Sequence, residues 1–368
     1  MRRNMLRAGL IGLSSVGKTT LFRLLTQAHH TGNKASSAHD ATVAVAQVPD
    51  ERLDRLSELF TPKKHTPATV NLIDMTGRRG SSTGVGGLVD VAAYRDADAV
   101  LHVVRAFHDE SIPHPAESVD PNRDVRVMED ELILADLAVA ERRLNRIEKD
   151  RKKGPSKELE AELSVLDKCK VQLEQGEPIR ALELEPTEMK LLRGFQFLSA
   201  KPMLLVLNVD ESDASCATDN TLERLQLKDF VAGPAIRAVS VCAKIELEIS
   251  ELDAEDGKLF LQEIGLDGPG LDRVIRAAYE LLGYLTFFTT GEDECRAWSI
   301  PEGTVAQLAA SEIHSDISRG FIRAEVVEYD HLITRRSVAE CRKHAEVRLE
   351  GKEYVVQDGD IINFRFAT

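Results

Sequence analysis

The chain has 368 residues, with 47 Lys and Arg against 61 Asp and Glu, a formal net charge of −14. At roughly 100–200 residues per domain this length holds two or three domains, each able to bury a core. A content of 43% hydrophobic and 29% charged residues excludes wholesale disorder, no apolar run reaches the ~20 residues that span a bilayer, and the acidic balance argues against indiscriminate coating of nucleic acid.

In chain order, the apolar run from Leu6 to Leu13 predicts a buried strand, and Lys18 to Gln27 a helix. The short apolar stretch behind Arg2 and Arg3 runs directly into Gly-Lys-Thr, which is not how a signal peptide continues. Behind Pro49, the segment from Glu51 to Phe60 places Leu53, Leu56 and Phe60 on one helical face. Three further strands are expected over Thr69–Ile73, Ala99–Val104 and Met203–Leu207. Strands alternating with helices predict an α/β domain with a mainly parallel sheet.

Between the last two of these strands the periodicity becomes heptad-like. Ile133, Leu137, Ala140, Leu144 and Ile147 form one seam and Leu159, Leu163, Leu166 and Leu173 another, on either side of Gly154-Pro155. This predicts an inserted antiparallel helical hairpin, a short coiled coil, with Lys149, Arg151, Lys152 and Lys153 at its tip. Beyond about Thr286 short strands are expected over Arg296–Ile300, Phe321–Val327, Tyr354–Val356 and Ile361–Phe366, a small α+β module. The expected boundaries are 1–128 for the first part of the nucleotide-binding domain, 129–200 for the hairpin, 201–285 for the second part and 286–368 for the C-terminal module.

The sharpest chemical signal is Gly12-Leu13-Ser14-Ser15-Val16-Gly17-Lys18-Thr19, which fits the P-loop pattern G-x-x-x-x-G-K-[ST] and is followed by Thr20. Such a loop turns backbone N–H groups toward phosphates at the positive end of a helix. Lys18 reaches the β- and γ-phosphates in this pattern, and the Thr19 hydroxyl ligates Mg²⁺. Asp74-Met75-Thr76-Gly77 closes the next strand, where Asp74 holds Mg²⁺ through water and the Gly77 N–H senses the γ-phosphate. After a further strand comes Asn208-Val209-Asp210-Glu211, where GTPases carry N-K-x-D. Val209 replaces the lysine and Glu211 stands at the guanine-reading position with one extra methylene, which weakens guanine recognition. Cys242-Ala243-Lys244 matches the loop that lies against the base. The five cysteines show no metal-binding spacing and read as inert thiols of a reducing cytosol.

These motifs in this order resemble the YchF/Obg-like ATPases, in the Obg branch of translation-factor GTPases. The likeness extends through Val48–Asp54, His102–Arg105, Val119–Pro121, Glu131–Leu137 and Leu271–Arg273. Arg296–Ile300, Ile313–Asp316 and Gly320–Glu325 resemble a TGS domain, a ubiquitin-like β-grasp fold. The resemblance implies a cytoplasmic, monomeric, slow Mg²⁺-dependent ATPase that tolerates GTP and associates with ribosomes or ribosomal RNA, without a membrane. It also implies a water-orienting histidine, which falls on His114. The alternatives are a nucleotide-gated RNA- or ribosome-binding scaffold with little hydrolysis, and a GTP-preferring GTPase.

The chain departs from the family pattern at several points. Ser15 replaces the P-loop asparagine, so a potassium requirement through that residue does not transfer. Ala38 stands at the first-switch threonine, with Thr42 nearby, and the second switch is about two residues shorter, with Arg78 following Gly77.

Overall fold

The computed structural model describes residues 7–27, 42–74, 94–152, 154 and 156–367. By contact the chain divides into a larger unit, Arg7–Ala44 with Asn71–Leu281, and a smaller one in which Val45–Val70 joins the chain from Leu282 onward.

The chain begins with β1 (Arg7–Ile11), α1 (Lys18–Gln27), β2 (Thr42–Gln47), α2 (Glu51–Phe60), β3 (Lys64–Thr66) and β4 (Thr69–Asp74). It continues with β5 (Ala99–Ala106), α3 (Pro121–Arg151), α4 (Lys157–Glu174), α5 (Pro186–Leu192) and β6 (Met203–Val209). Then come α6 (Thr218–Arg224), α7 (Lys228–Val231), β7 (Ile236–Val241), α8 (Ala243–Glu251), α9 (Ala254–Glu263) and α10 (Gly270–Leu281).

The first sheet has the order β2-β4-β1-β5-β6-β7, and its strands from β4 to β7 run parallel. β5 and β6 are buried along their whole length, which is why they read as continuous apolar runs rather than as alternation. β1 has β4 on one side and β5 on the other. The chain therefore leaves β1 toward opposite edges, and the crevice at the carboxyl end of β1 is where such sheets receive a ligand. The P-loop sequence starts there.

The helix α3 is 31 residues long and begins at Pro121, not near Glu129. Asp120 caps it by accepting the Arg123 N–H at 3.1 Å, and Pro121 occupies the first turn, where its missing N–H costs nothing. Ser156 caps α4 in the same way. The two helices pack through Ile133, Ala140 and Ile147 against Val165, Leu166, Cys169 and Leu173. Burial pushes the Cys169 thiol up to about 11, so it is a core side chain rather than a reactive one. Arg143 holds Glu162 through two 2.6 Å bonds, and Arg151 pairs with Glu160 at 2.8 Å, so part of the basic tip is neutralised.

At its midpoint α3 is fixed by a buried carboxylate. Asp136, with no exposed surface, accepts from Arg95 at 2.9 Å and from the Ser199 N–H and hydroxyl at 2.7 and 2.9 Å. Arg180 forms a charge pair with Glu129 nearby.

The smaller unit adds β8 (Tyr284–Thr289), β9 (Glu294–Pro301), α11 (Ala306–Ile313), α12 (Ser315–Arg319) and β10 (Phe321–Val327). It ends with α13 (Tyr329–Arg335), α14 (Val338–Lys343), β11 (Arg348–Glu350) and β12 (Ile361–Phe366). Its mixed sheet has the order β11-β10-β12-β8-β9-β3, around a core of Phe287, Ile300, Phe321, Val326, Ile362 and Phe364. Residues 354–356 form no strand; Val355 makes only an isolated bridge to Val305. Residues 45–70, counted within 1–128 from sequence, belong by contact with the C-terminal chain. β3 extends its sheet beside β9, and α2 packs on β9 with Leu53 and Leu56 fully buried. Arg52 binds Asp50 at 2.8 Å and Asp358 at 2.6 Å, and its guanidinium lies 5.2 Å from the centre of the Phe288 ring.

Replacing Asp136 leaves the Arg95 guanidinium and Ser199 without their buried acceptor. We expect Asp136→Ala to cost about 3–5 kcal/mol in a urea titration.

Candidate nucleotide-binding site

The P-loop is held in shape by close backbone approach at both of its glycines. Gly12 has φ +143°, and a Cβ there would lie 2.4 Å from the Val103 carbonyl oxygen. Gly17 has φ +99°, and its Cβ would lie 2.5 Å from Asn208 Nδ2. Ser15 takes a left-handed conformation, φ 62°, without being glycine. Leu13 and Val16 are buried and anchor the loop, whereas Ser14, Ser15 and Thr19 are exposed. Lys18 Nζ donates to the carbonyls of Gly12 at 2.9 Å and Leu13, lying over the loop it serves.

Asn208 joins the P-loop to the loop before α8. Its Nδ2 donates to the Val16 carbonyl at 3.1 Å, and its Oδ1 accepts from the Ala243 N–H at 3.0 Å. Val209 is buried at the end of β6. Asp210 accepts from the His108 N–H at 3.2 Å through both oxygens. Glu211 pairs with Lys244 at 2.6 Å. Cys242 is buried, and burial raises its thiol above the usual range. Around these residues lies a cleft of about 530 Å³.

Of the residues named from sequence, Ser15, Gly17, Lys18, Thr19, Thr20, Asn208, Val209, Glu211, Cys242 and Ala243 line that cleft. Gly12 and Val16 support it from the buried side of the loop, and Ser14 is exposed without lining it. Gly77, Ala38 and Arg78 lie outside the described residues, as do the side chains of Asp74 and Thr42. The backbone pairing of Gly9 with Ile73 brings the end of β4 beside β1, two positions from Ile11.

His114 is not at the cleft. Its imidazole is buried, with Nε2 3.0 Å from Asp124 and Nδ1 accepting the Ala116 N–H at 3.1 Å. Asp124 lies in the first turn of α3, so the ring is packed against that helix. The residues that sequence reading missed are Phe107, His108, Asp109 and Ile112, which form one wall, together with Leu247. The signal available for them was position, since they follow a strand adjacent to the switch point of the sheet.

Beneath the loop, His102 pairs with Ile11 across β5 and β1 and is 1% exposed. Burial, reinforced by the charges of Lys18 and Arg180, lowers its pKa to about 3, so it is neutral.

Known proteins resemble this chain along nearly its whole length. A family model described as "50S ribosome-binding GTPase" matches residues 7–135. The C-terminal model of YchF GTPases, described as "Protein of unknown function (DUF933)", matches residues 284–367. The chain is 42% identical over 364 residues to the ribosome-binding ATPase YchF of Bacillus subtilis, covering 98% of this chain and 99% of that one. It is 40% identical over 363 residues to the ribosome-binding ATPase YchF of Escherichia coli O157:H7, with the same coverage. The solved structure of the Schizosaccharomyces pombe YchF GTPase matches with a TM-score of 0.86 at 30% identity, over 99% of both chains.

Two outcomes follow from the site. Asn208→Asp keeps an acceptor for Ala243 but sets a carboxylate oxygen against the Val16 carbonyl. Nucleotide affinity by calorimetry should fall about tenfold, at about 1–3 kcal/mol for a spoiled buried hydrogen bond. His102 stays neutral in the folded chain to about pH 3, while the unfolded chain protonates it near 6.5. The unfolded state then binds more protons, so stability is lost as pH falls below about 6.5. His102→Leu should shrink the difference between urea midpoints measured near pH 7 and near pH 5.

Proposed function

Because the chain belongs to the YchF family, we propose that it is a slow, Mg²⁺-dependent ATP-hydrolysing switch that works in association with the ribosome. It is a P-loop nucleoside triphosphatase by family and by motif. The observation that carries the choice of base is the engagement of both carboxylates after β6. Glu211 is held by Lys244 and Asp210 by the His108 N–H, and Val209 is apolar where guanine-binding sites carry lysine. A guanine N1–H and N2 amine would have to share a carboxylate with the partner it already holds, whereas adenine presents no such pair of donors on that edge.

In this reading Lys18 leaves the loop carbonyls for the β- and γ-phosphates, and backbone N–H groups from Gly12 to Thr20 cradle them. The exposed Thr19 hydroxyl, at the start of α1 on the cleft wall, fits a Mg²⁺ ligand. Asp74 follows it as the water-mediated ligand, and Gly77 as the γ-phosphate sensor. Mg²⁺ would neutralise charge between the phosphates. His114 would have to leave Asp124 to reach an attacking water, so it receives no step from this arrangement. Its position is also the observation that favours the second reading, a nucleotide-gated scaffold with little hydrolysis.

The helices α3 and α4 are read as an antiparallel hairpin, and residues 284–367 as a TGS-type β-grasp module. Both serve as ribosome-facing surfaces of a cytoplasmic monomer. The net charge of −14 is compatible with this because a ribosome contact needs only local basic patches, such as Lys149 and Lys152.

Steady-state phosphate release from purified protein tests the reading. Wild-type turnover with ATP should be slow, and Lys18→Ala should abolish it. Tight ATP binding without turnover would favour the scaffold. A fluorescent GTP analogue bound about tenfold more tightly than its ATP counterpart would overturn the choice of base. Co-sedimentation with ribosomal subunits tests the partner.

A further inference from the structure

Arg105 stands near the end of β5 and is only 2% exposed. A buried guanidinium normally sits on a carboxylate, but this one is satisfied by backbone. Nε donates to the Phe107 carbonyl at 3.3 Å, Nη1 to that of Ile112 at 2.9 Å and Nη2 to that of Asp109 at 3.0 Å. Its Cζ lies 4.5 Å from the centre of the Phe107 ring. One rigid fork therefore collects three carbonyls from a single short loop.

The loop is tightened from other directions as well. The Ser111 N–H and hydroxyl both donate to Asp109 Oδ1, at 2.9 and 2.6 Å. The His108 N–H reaches the Asp210 carboxylate, which ties the loop to the end of β6. With its carbonyls turned inward to Arg105, the loop lends Phe107, His108, Asp109 and Ile112 to the cleft wall. These line the same cleft as Cys242 and Ala243 of the loop that sequence assigns to the base, together with Leu247.

We infer that Arg105 and Asp210 are positioning residues, which set the loop 107–112 as the wall against which the nucleobase rests. The inference depends on the cleft being a nucleotide site. Neither residue contacts the phosphates in this scheme, so their contribution falls on the base alone. Lysine cannot replace Arg105, because a single ammonium on a flexible stem lacks the planar fork that addresses three carbonyls at once.

Isothermal titration of the full chain with Mg²⁺·ATP and with inorganic Mg²⁺·tripolyphosphate separates the base wall from the phosphate loop. Arg105→Lys should weaken ATP about tenfold or more, and Asp210→Ala about threefold or more, with tripolyphosphate affinity within about twofold of wild type. Asp210 is partly exposed, so its variant decides the matter should Arg105→Lys fail to fold. Unchanged ATP affinity, or equal loss of ATP and tripolyphosphate in a folded variant, overturns the inference. Wild-type protein that binds neither ligand would instead refute the nucleotide reading on which it rests.

Discussion

The carboxamide of Asn208 is the narrowest point in the architecture of the cleft. It can hold the Val16 carbonyl and the Ala243 N–H together because β1, β5, β6 and β7 are parallel, so that the loops after β1 and β7 leave the same edge of the sheet as the end of β6. It can approach the P-loop so closely only because Gly17 has no Cβ. An aspartate there would be all acceptor. The phosphate loop and the base loop, 35 residues apart from Asn208 in one case and 192 in the other, are thus set by one side chain. In chemical terms the residue that sits in a recognition motif is a structural bracket first, and any contact with the base comes in addition.

Charge is used in two different ways inside the larger unit. Along the first half of α3, Asp136 and Glu129 are paired with arginines and hydrogen-bonded, which fixes the placement of a long helix. Burial pushes the Glu129 carboxyl upward, and the adjoining Arg180 opposes that push. Such pairs contribute more to a defined arrangement than to net stability, since desolvation consumes most of their attraction. Arg105 is different, because its hydrogen bonds go to peptide carbonyls rather than to a carboxylate, and so it orders a loop that has no regular secondary structure.

The parts legible in sequence were those in which local and global signals coincide. The P-loop is a contiguous motif between an apolar strand and a helix. The helix α2 announced itself through Pro49 and the face of Leu53, Leu56 and Phe60, and its observed bounds agree with that pattern. The start of α3 was displaced by about two turns because the heptad seam begins later than the helix; the Asp120-Pro121 cap was the better marker. The expected strand at 354–356 failed because Tyr354 and Val356 serve a loop, Tyr354 donating its hydroxyl to Asp360 and Val356 filling the core. The wall at 107–112 was invisible for a more basic reason. It carries no motif, and its shape is imposed by an arginine that precedes it and an aspartate about a hundred residues away.

The placement of residues 45–70 shows the same limit at the scale of domains. Contiguity suggested that everything before the helical insertion belongs to the nucleotide domain. Yet α2, with Leu53 and Leu56 buried, packs on β9, and β3 finds its hydrogen bonds there too. The smaller unit is therefore discontinuous, and its core is incomplete if the chain is cut before β8. Burying two leucines contributes roughly 1.5–3 kcal/mol each, comparable to the whole margin of many small domains. The segment is bounded on one side by the stretch that follows the P-loop helix and on the other by the strand ending at Asp74. Both junctions of this segment with the larger unit thus lie beside the sequences read as switches, Ala38 with Thr42 on one side and Asp74 to Gly77 on the other.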